Sequence, residues 1–143
     1  MEHDVSFSEL DLEGEERFQR VRNDLGVESF GLNLLRFAPG QRSRIHRHER
    51  QEEVYVVLEG TLTLVVEGNE QHVLRRGAVA RVAPDVRRQL VNRHPERLRV
   101  LAMGGAQPHE GRDGRAYENW DETGDGRSPQ DVPFPDDVPV GRD

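Results

Sequence analysis

The chain has 143 residues with 27 acidic and 20 basic side chains, a net charge of −7, 34% apolar residues and no cysteine. That length fits one domain around one core, the missing cysteine excludes disulfides, thiolate ligands and a thiol nucleophile, and because every basic residue is Arg, lysine Schiff-base chemistry is excluded as well. The charge is uneven: residues 105–143 hold ten acids and four Arg, leaving residues 1–104 at −1, which argues against nucleic acid or an anionic membrane surface as partner.

The opening MEHDVSFSELDLEGEE lacks the basic start and apolar stretch of a secretion signal, and no apolar run approaches a membrane span, so a cytoplasmic protein is expected. Residues 1–15 read as an N-terminal arm, with one short helix in SELDLEGEERF that a glycine interrupts. Residues 16–104 form the predicted body. There RFQRVR, SFGLNLLRF, EVYVVLE, TLTLVVE, HVLRR, AVARVA, RQLVNR and RLRVLAMG are short β-rich runs separated by APG, EGNEQ, RRG, APD and NRHPE. Regular short strands broken by Gly, Pro and Asn predict an all-β sandwich or barrel. In EVYVVLE, Val54, Val56 and Leu58 share one face while Glu53, Tyr55 and Val57 share the other, so Glu53 opens a face that continues into the interior and requires a partner. Residues 105–143, with four prolines between Pro129 and Pro139, read as an extended acidic tail; Trp120 and Phe134 are its candidates for docking on the body.

The stretch GQRSRIHRHERQEEVYVVLEG, residues 40–60, carries the chemistry. Alternation along a strand puts His46 and His48 on one face with Arg47 on the other, and a following strand that brings Glu53 to the same face completes two imidazoles and a carboxylate, a set that holds a divalent metal with open positions. Competing readings for the pair are two solvent-facing histidines, and for His72 and His94 a structural or surface role rather than a ligand. The remaining Arg residues, Arg42, Arg44 and Arg47 among them, read as solvated faces balanced by carboxylates.

Gly40, five residues, His46-x-His48, four residues, Glu53, six residues and Gly60 resemble the first motif of the cupin superfamily. The resemblance covers about residues 16–104 and implies a double-stranded β-helix, a small jelly-roll barrel that commonly forms homodimers, with a site in its mouth. It also implies that His46, His48 and Glu53 are metal ligands for one divalent ion, Mn, Fe, Ni or Zn. The second motif of that superfamily departs from its pattern in GAVARVAPDVRRQLVN: Gly77 and Asn92 match, the proline is displaced to Pro84, Asp85 replaces the inner glycine, and Arg88 stands where the fourth ligand, a histidine, belongs. A guanidinium cannot coordinate a metal and pairs well with Glu53. Two functions are therefore open. In one, three ligands hold the metal and Arg88 contacts a small anionic ligand, with Tyr55 and Asn92 also facing the cavity, as in a metal-dependent isomerase, lyase or dioxygenase; Asn92 also reads as a motif residue that simply fixes a turn. In the other, a metal-free ligand-binding or sensing module, Arg88 pairs with Glu53.

Overall fold

A computed structural model describes residues 4–106 and 113–141. The expected positions 1–3, 107–112 and 142–143 of the arm and tail lie outside the described residues. In chain order the elements are β1 (Phe18–Gln19), α1 (Val21–Leu25), β2 (Gly31–Phe37), β3 (Ile45–His48), β4 (Glu52–Glu59), β5 (Thr61–Val66), β6 (Glu70–Arg75), β7 (Val79–Val82), β8 (Arg88–Val91), β9 (Leu98–Gly105), β10 (Gly114–Tyr117) and a short 3-10 turn at Pro129–Asp131. They build two five-stranded antiparallel sheets, in the orders β1-β2-β9-β4-β7 and β10-β3-β8-β5-β6. The predicted all-β architecture is what forms.

Period-two alternation sorts the side chains. Tyr55 and Val57 of β4, Leu62 and Leu64 of β5, Leu90 of β8 and Leu98, Val100 and Ala102 of β9 meet between the sheets as one buried cluster with Leu35 and Phe37. The turns follow the glycines that close them. Gly60 sits at φ +82° between β4 and β5, and an added Cβ there would come within 2.3 Å of the Arg97 carbonyl, so this hairpin accepts no side chain.

Two local expectations are corrected. SELDLEGEERF contains no helix; Asp11 instead accepts the backbone N–H of Glu13 and of Gly14 through its Oδ1, closing a turn that glycine favours. The run RFQRVR yields only the two-residue β1 before the chain turns into α1, which ends at Gly26 in the left-handed conformation.

The larger departure is downstream of residue 105. β10 adds to the edge of the second sheet by pairing Gly114–Tyr117 with His48–Ile45, and Ala116 and Tyr117 are buried. Val132 is also buried, and Arg42 and Arg44 donate their Nε–H to the carbonyls of Asp136 and Val132 at 2.7 Å each. Composition describes this segment as a tail because its apolar residues are few. They suffice because Ala116 and Tyr117 lie on the strand that pairs with the edge strand β3, and Phe134 lies against the guanidiniums of Arg17 and Arg44.

Candidate metal centre and its cavity

β3 and β4 belong to different sheets, and the loop between them folds so that the inward faces of both meet at one end of the barrel. The expected convergence is present. His46 Nε2 and His48 Nε2 each lie 3.3 Å from Glu53 Oε1, and one donor atom from each of the three residues fits within a 4.8 Å group. The imidazoles stand edge to face, 5.4 Å between centroids.

The second nitrogen of each ring is already committed. His46 Nδ1 faces the Arg44 carbonyl at 3.3 Å, and His48 Nδ1 lies 2.8 Å from Asp113 Oδ1. A carboxylate accepts, so His48 carries a proton on Nδ1, and its Nε2 is turned toward Glu53. That Nε2 is buried and makes no hydrogen bond among the described residues. A buried nitrogen aimed at a carboxylate and a second imidazole, held in its tautomer from behind, is the arrangement a divalent cation completes, and the three residues fit such an ion.

Asp113 was not among the residues that the sequence pointed to. Besides His48 it accepts Gln51 Nε2 on Oδ1, and the backbone N–H of Arg50 and Gln51 on Oδ2, each at 2.8 Å. Burial opposes its charge, but those bonds outweigh it and hold the carboxyl below its usual range. It precedes β10 immediately, in the segment whose composition suggests a tail. Only the pairing of β10 with β3 brings it beneath His48, and no spacing rule in one sequence announces that.

The same balance runs through the cluster. Burial pushes Glu53 up, yet His46 and His48 outweigh it and its carboxyl lies well below the ordinary range. Burial pulls His46 down more than Glu53 raises it. For His48 burial also pulls down, but Glu53 and Asp113 together carry the net shift upward.

Arg88 is fully buried and does not face the cavity. Its Nη2 donates to Glu53 Oε1 at 2.9 Å, Nε to the Tyr55 hydroxyl at 3.2 Å and Nη1 to the Val86 carbonyl at 2.7 Å. Tyr55 in turn donates its hydroxyl proton to Glu53 Oε1 in a short bond, and burial together with the Glu53 charge keeps that phenol protonated. Of the two roles open to Arg88, the geometry is that of the Glu53 partner. His46 and Arg88 are directly opposed across β3 and β8, which explains why a histidine there would have served as a fourth ligand.

Asn92 corrects the cavity expectation in favour of the turn-fixing one. It is completely buried away from the cavity, its amide nitrogen donating to the Phe37 and Glu96 carbonyls while its oxygen accepts the His94 N–H. It fixes the turn that leads from β8 into β9. His94 belongs to that turn, and His72 lies exposed on β6 beside Glu70, so neither stands in the centre.

The cluster opens into a cavity of about 290 Å³ whose walls include Leu35, Phe37, Tyr55, Leu90 and Ala102, with Arg17, Arg44 and Phe134 also lining it. A second, more polar space of about 370 Å³ reaches His48 and Glu53 from the side of Arg20, Arg22 and Gln51. Arg44, read from sequence as part of a solvated face, is half-buried, and Phe134 of the expected tail covers it at 3.9 Å.

The cupin domain model matches residues 33–104, half of the chain, and the chain belongs to the cupin superfamily. Among solved structures it is similar to a sugar phosphate isomerase of that superfamily from Silicibacter pomeroyi, at 27% identity and a TM-score of 0.62, over 71% of this chain and 65% of that one. The alignment thus spans just under two thirds of that relative's length. A conserved-barrel cupin protein from Salinispora arenicola is 28% identical over 68% of this chain and 81% of its own, with a TM-score of 0.57. A cupin protein from Bacteroides fragilis, 17% identical, shares the fold over 85% of this chain and 97% of its own, with a TM-score of 0.64. No curated protein is similar in sequence.

Proposed function

We propose that this chain is a small-molecule-binding cupin that holds one divalent metal, Mn, Fe, Ni or Zn, on His46, His48 and Glu53, and takes a small anionic ligand into the adjoining cavity. The observation that carries the reading is the buried His48 Nε2, which makes no hydrogen bond among the described residues and faces the cluster while Asp113 holds a proton on the opposite nitrogen. A bound metal would supply Lewis acidity and open positions for a chelating carboxylate or enolate, the chemistry of an isomerase, lyase or dioxygenase. The chain's own contributions are distinct. Asp113 fixes the His48 tautomer, Arg88 and Tyr55 orient Glu53, and the apolar walls exclude water from the ligand. The likeness to a sugar phosphate isomerase supports an anionic ligand, while the fold by itself chooses no reaction.

One observation favours a second reading. The 2.9 Å contact of fully buried Arg88 with Glu53 already neutralises the carboxylate, as a metal-free binding or sensing module would need. Elemental analysis of untagged protein purified without chelator, followed by melting curves with added Mn, Fe, Ni or Zn, separates the two. Copurified metal or metal-dependent stabilisation is the expected result; absence of both overturns the metal reading in favour of the second.

The proposal includes a cytoplasmic setting and a homodimer. Support for the dimer comes from the outer face of the first sheet, where Val79 is 65% exposed and Val54, Val56, Leu101 and Met103 are half-buried. Light scattering at micromolar concentration tests it, with twice the 16.4 kDa chain mass as the expected value.

A further inference from the structure

Arg17 and Arg44 line the same cavity as the His46, His48 and Glu53 cluster, and neither has a carboxylate within ion-pair distance among the described residues. Their protein partners are a carbonyl each and one aromatic ring. Arg17 Nη1 donates to the Arg42 carbonyl at 2.8 Å, Arg44 Nε to the Val132 carbonyl at 2.7 Å, and both guanidinium carbons lie over the Phe134 ring, at 4.4 and 3.9 Å from its centroid. Contact with a π face positions a guanidinium without consuming its donors. The terminal nitrogens of Arg44, and Nε and Nη2 of Arg17, make no hydrogen bond among the described residues. Burial lowers the proton affinity of Arg17, and the field of Asp137 acts in the other direction.

Two partly buried like charges with spare donors are held against one aromatic ring at the wall of a mainly apolar cavity. Stacking on Phe134 leaves the repulsion between the two charges and their spare donors uncompensated, and an oxyanion in the cavity would lower the one and fill the other with charge-assisted bonds. Arg88 cannot do this, since it is committed to Glu53 and Tyr55 outside the cavity lining. The cavity, about 290 Å³, holds about ten waters' worth of liquid volume, the scale of a small organic molecule.

We propose that Arg17 and Arg44 are the oxyanion-recognising end of this cavity, and that its occupant is a small molecule with an apolar body, a carboxylate or phosphate head on the two guanidiniums, and its far end against His46, His48 and Glu53. The inference rests on the reading of this cavity as the ligand site. It moves recognition of the anion from the strand of Arg88 to the mouth, where Phe134 of the C-terminal segment holds both arginines in place.

Calorimetric titration of the full chain, stripped of metal and then repeated with Mn²⁺, uses benzoate, phenyl phosphate and neutral benzamide as probes. At least one anion binds about tenfold or more tighter than benzamide, and the tighter anion identifies the head group. Arg17→Gln and Arg44→Gln each lose that preference, while Arg44→Lys, which keeps the charge but not the fork, retains part of it. Melting curves confirm that the variants fold; should a Gln variant not fold, the wild-type chain still decides, since affinity for the anion and not for benzamide falls as NaCl rises to about 0.5 M. Equal affinity for benzamide and the anions, Gln variants that keep the preference, or a salt-independent preference overturns the inference while leaving the cavity a ligand site. Failure of all three probes to bind, with or without Mn²⁺, overturns the ligand-site reading together with it. Metal binding, read in the same titrations, stands or falls separately.

Discussion

Replacing Asp113 by Asn keeps the shape of a side chain that receives four donors and removes its charge. In the wild type Oδ1 accepts His48 Nδ1–H and Gln51 Nε2, and Oδ2 accepts two backbone N–H groups, all at 2.8 Å. A carboxamide must put its own NH2 against one of those pairs. Facing the backbone, it leaves buried donors opposed; facing His48, it forces the imidazole to accept on Nδ1 and so moves the proton to Nε2, the atom required as a metal ligand. The first outcome costs about 1–3 kcal/mol for an unsatisfied buried donor. The second lowers metal affinity by about 10- to 100-fold, the scale found when a carboxylate behind a ligating histidine is removed. Urea unfolding of the stripped protein reads the first quantity and Zn²⁺ calorimetry the second. Asp113→Asn with wild-type stability and wild-type Zn²⁺ affinity would refute the assignment of Asp113 as the group that fixes the His48 tautomer.

Other outcomes follow from the same contacts. Arg88→Ala leaves Glu53 short of its buried cation and destabilises the fold by about 3–5 kcal/mol in urea titrations. Arg88→His, opposite His46 in the β3–β8 pair, adds an imidazole where a fourth ligand fits, and tightens Zn²⁺ binding; unchanged affinity would show that the β8 side chain does not reach the centre. Leu90→Ala empties a fully buried core position and costs about 2–5 kcal/mol by the same assay. Because Asp113 is held below its unfolded pKa of about 3.9, its stabilising contribution is complete above that pH and is lost as pH falls through the lower folded value. Stability measured from pH 7 down to about pH 3 therefore declines less steeply in Asp113→Asn than in wild type. Truncation after residue 105 removes β10, Asp113 and Phe134 together, and lowers both thermal stability and Zn²⁺ affinity relative to the full chain.

The two sheets were legible because their strands obey a local rule. Short runs rich in apolar and β-branched residues, such as TLTLVV and EVYVVLE, broken by glycine, mark strands before any partner is known. The same rule put His46 and His48 on one face of β3 and Glu53 on the inward face of β4, and the loop between the two sheets brings them together. It failed for Asn92, where burial and a motif position were compatible with either a ligand or a turn, and the bonds to Phe37, Glu96 and His94 decide for the turn. It failed more widely after residue 105, where few apolar residues and several prolines look like solvated chain although Tyr117 and Val132 are buried.

What the sequence determined by itself is thus the all-β class, the body of strands and the three-residue group that could hold a metal, each specified by side chains a few positions apart. Tertiary structure alone decided that Asp113 stands behind His48, that Arg88 turns to Glu53, and that Arg17, Arg44 and Phe134 meet at the mouth. Those contacts join residues 35 to 117 positions apart. Their geometry depends on which strand edges pair and how the last segment crosses them, and no local periodicity encodes that.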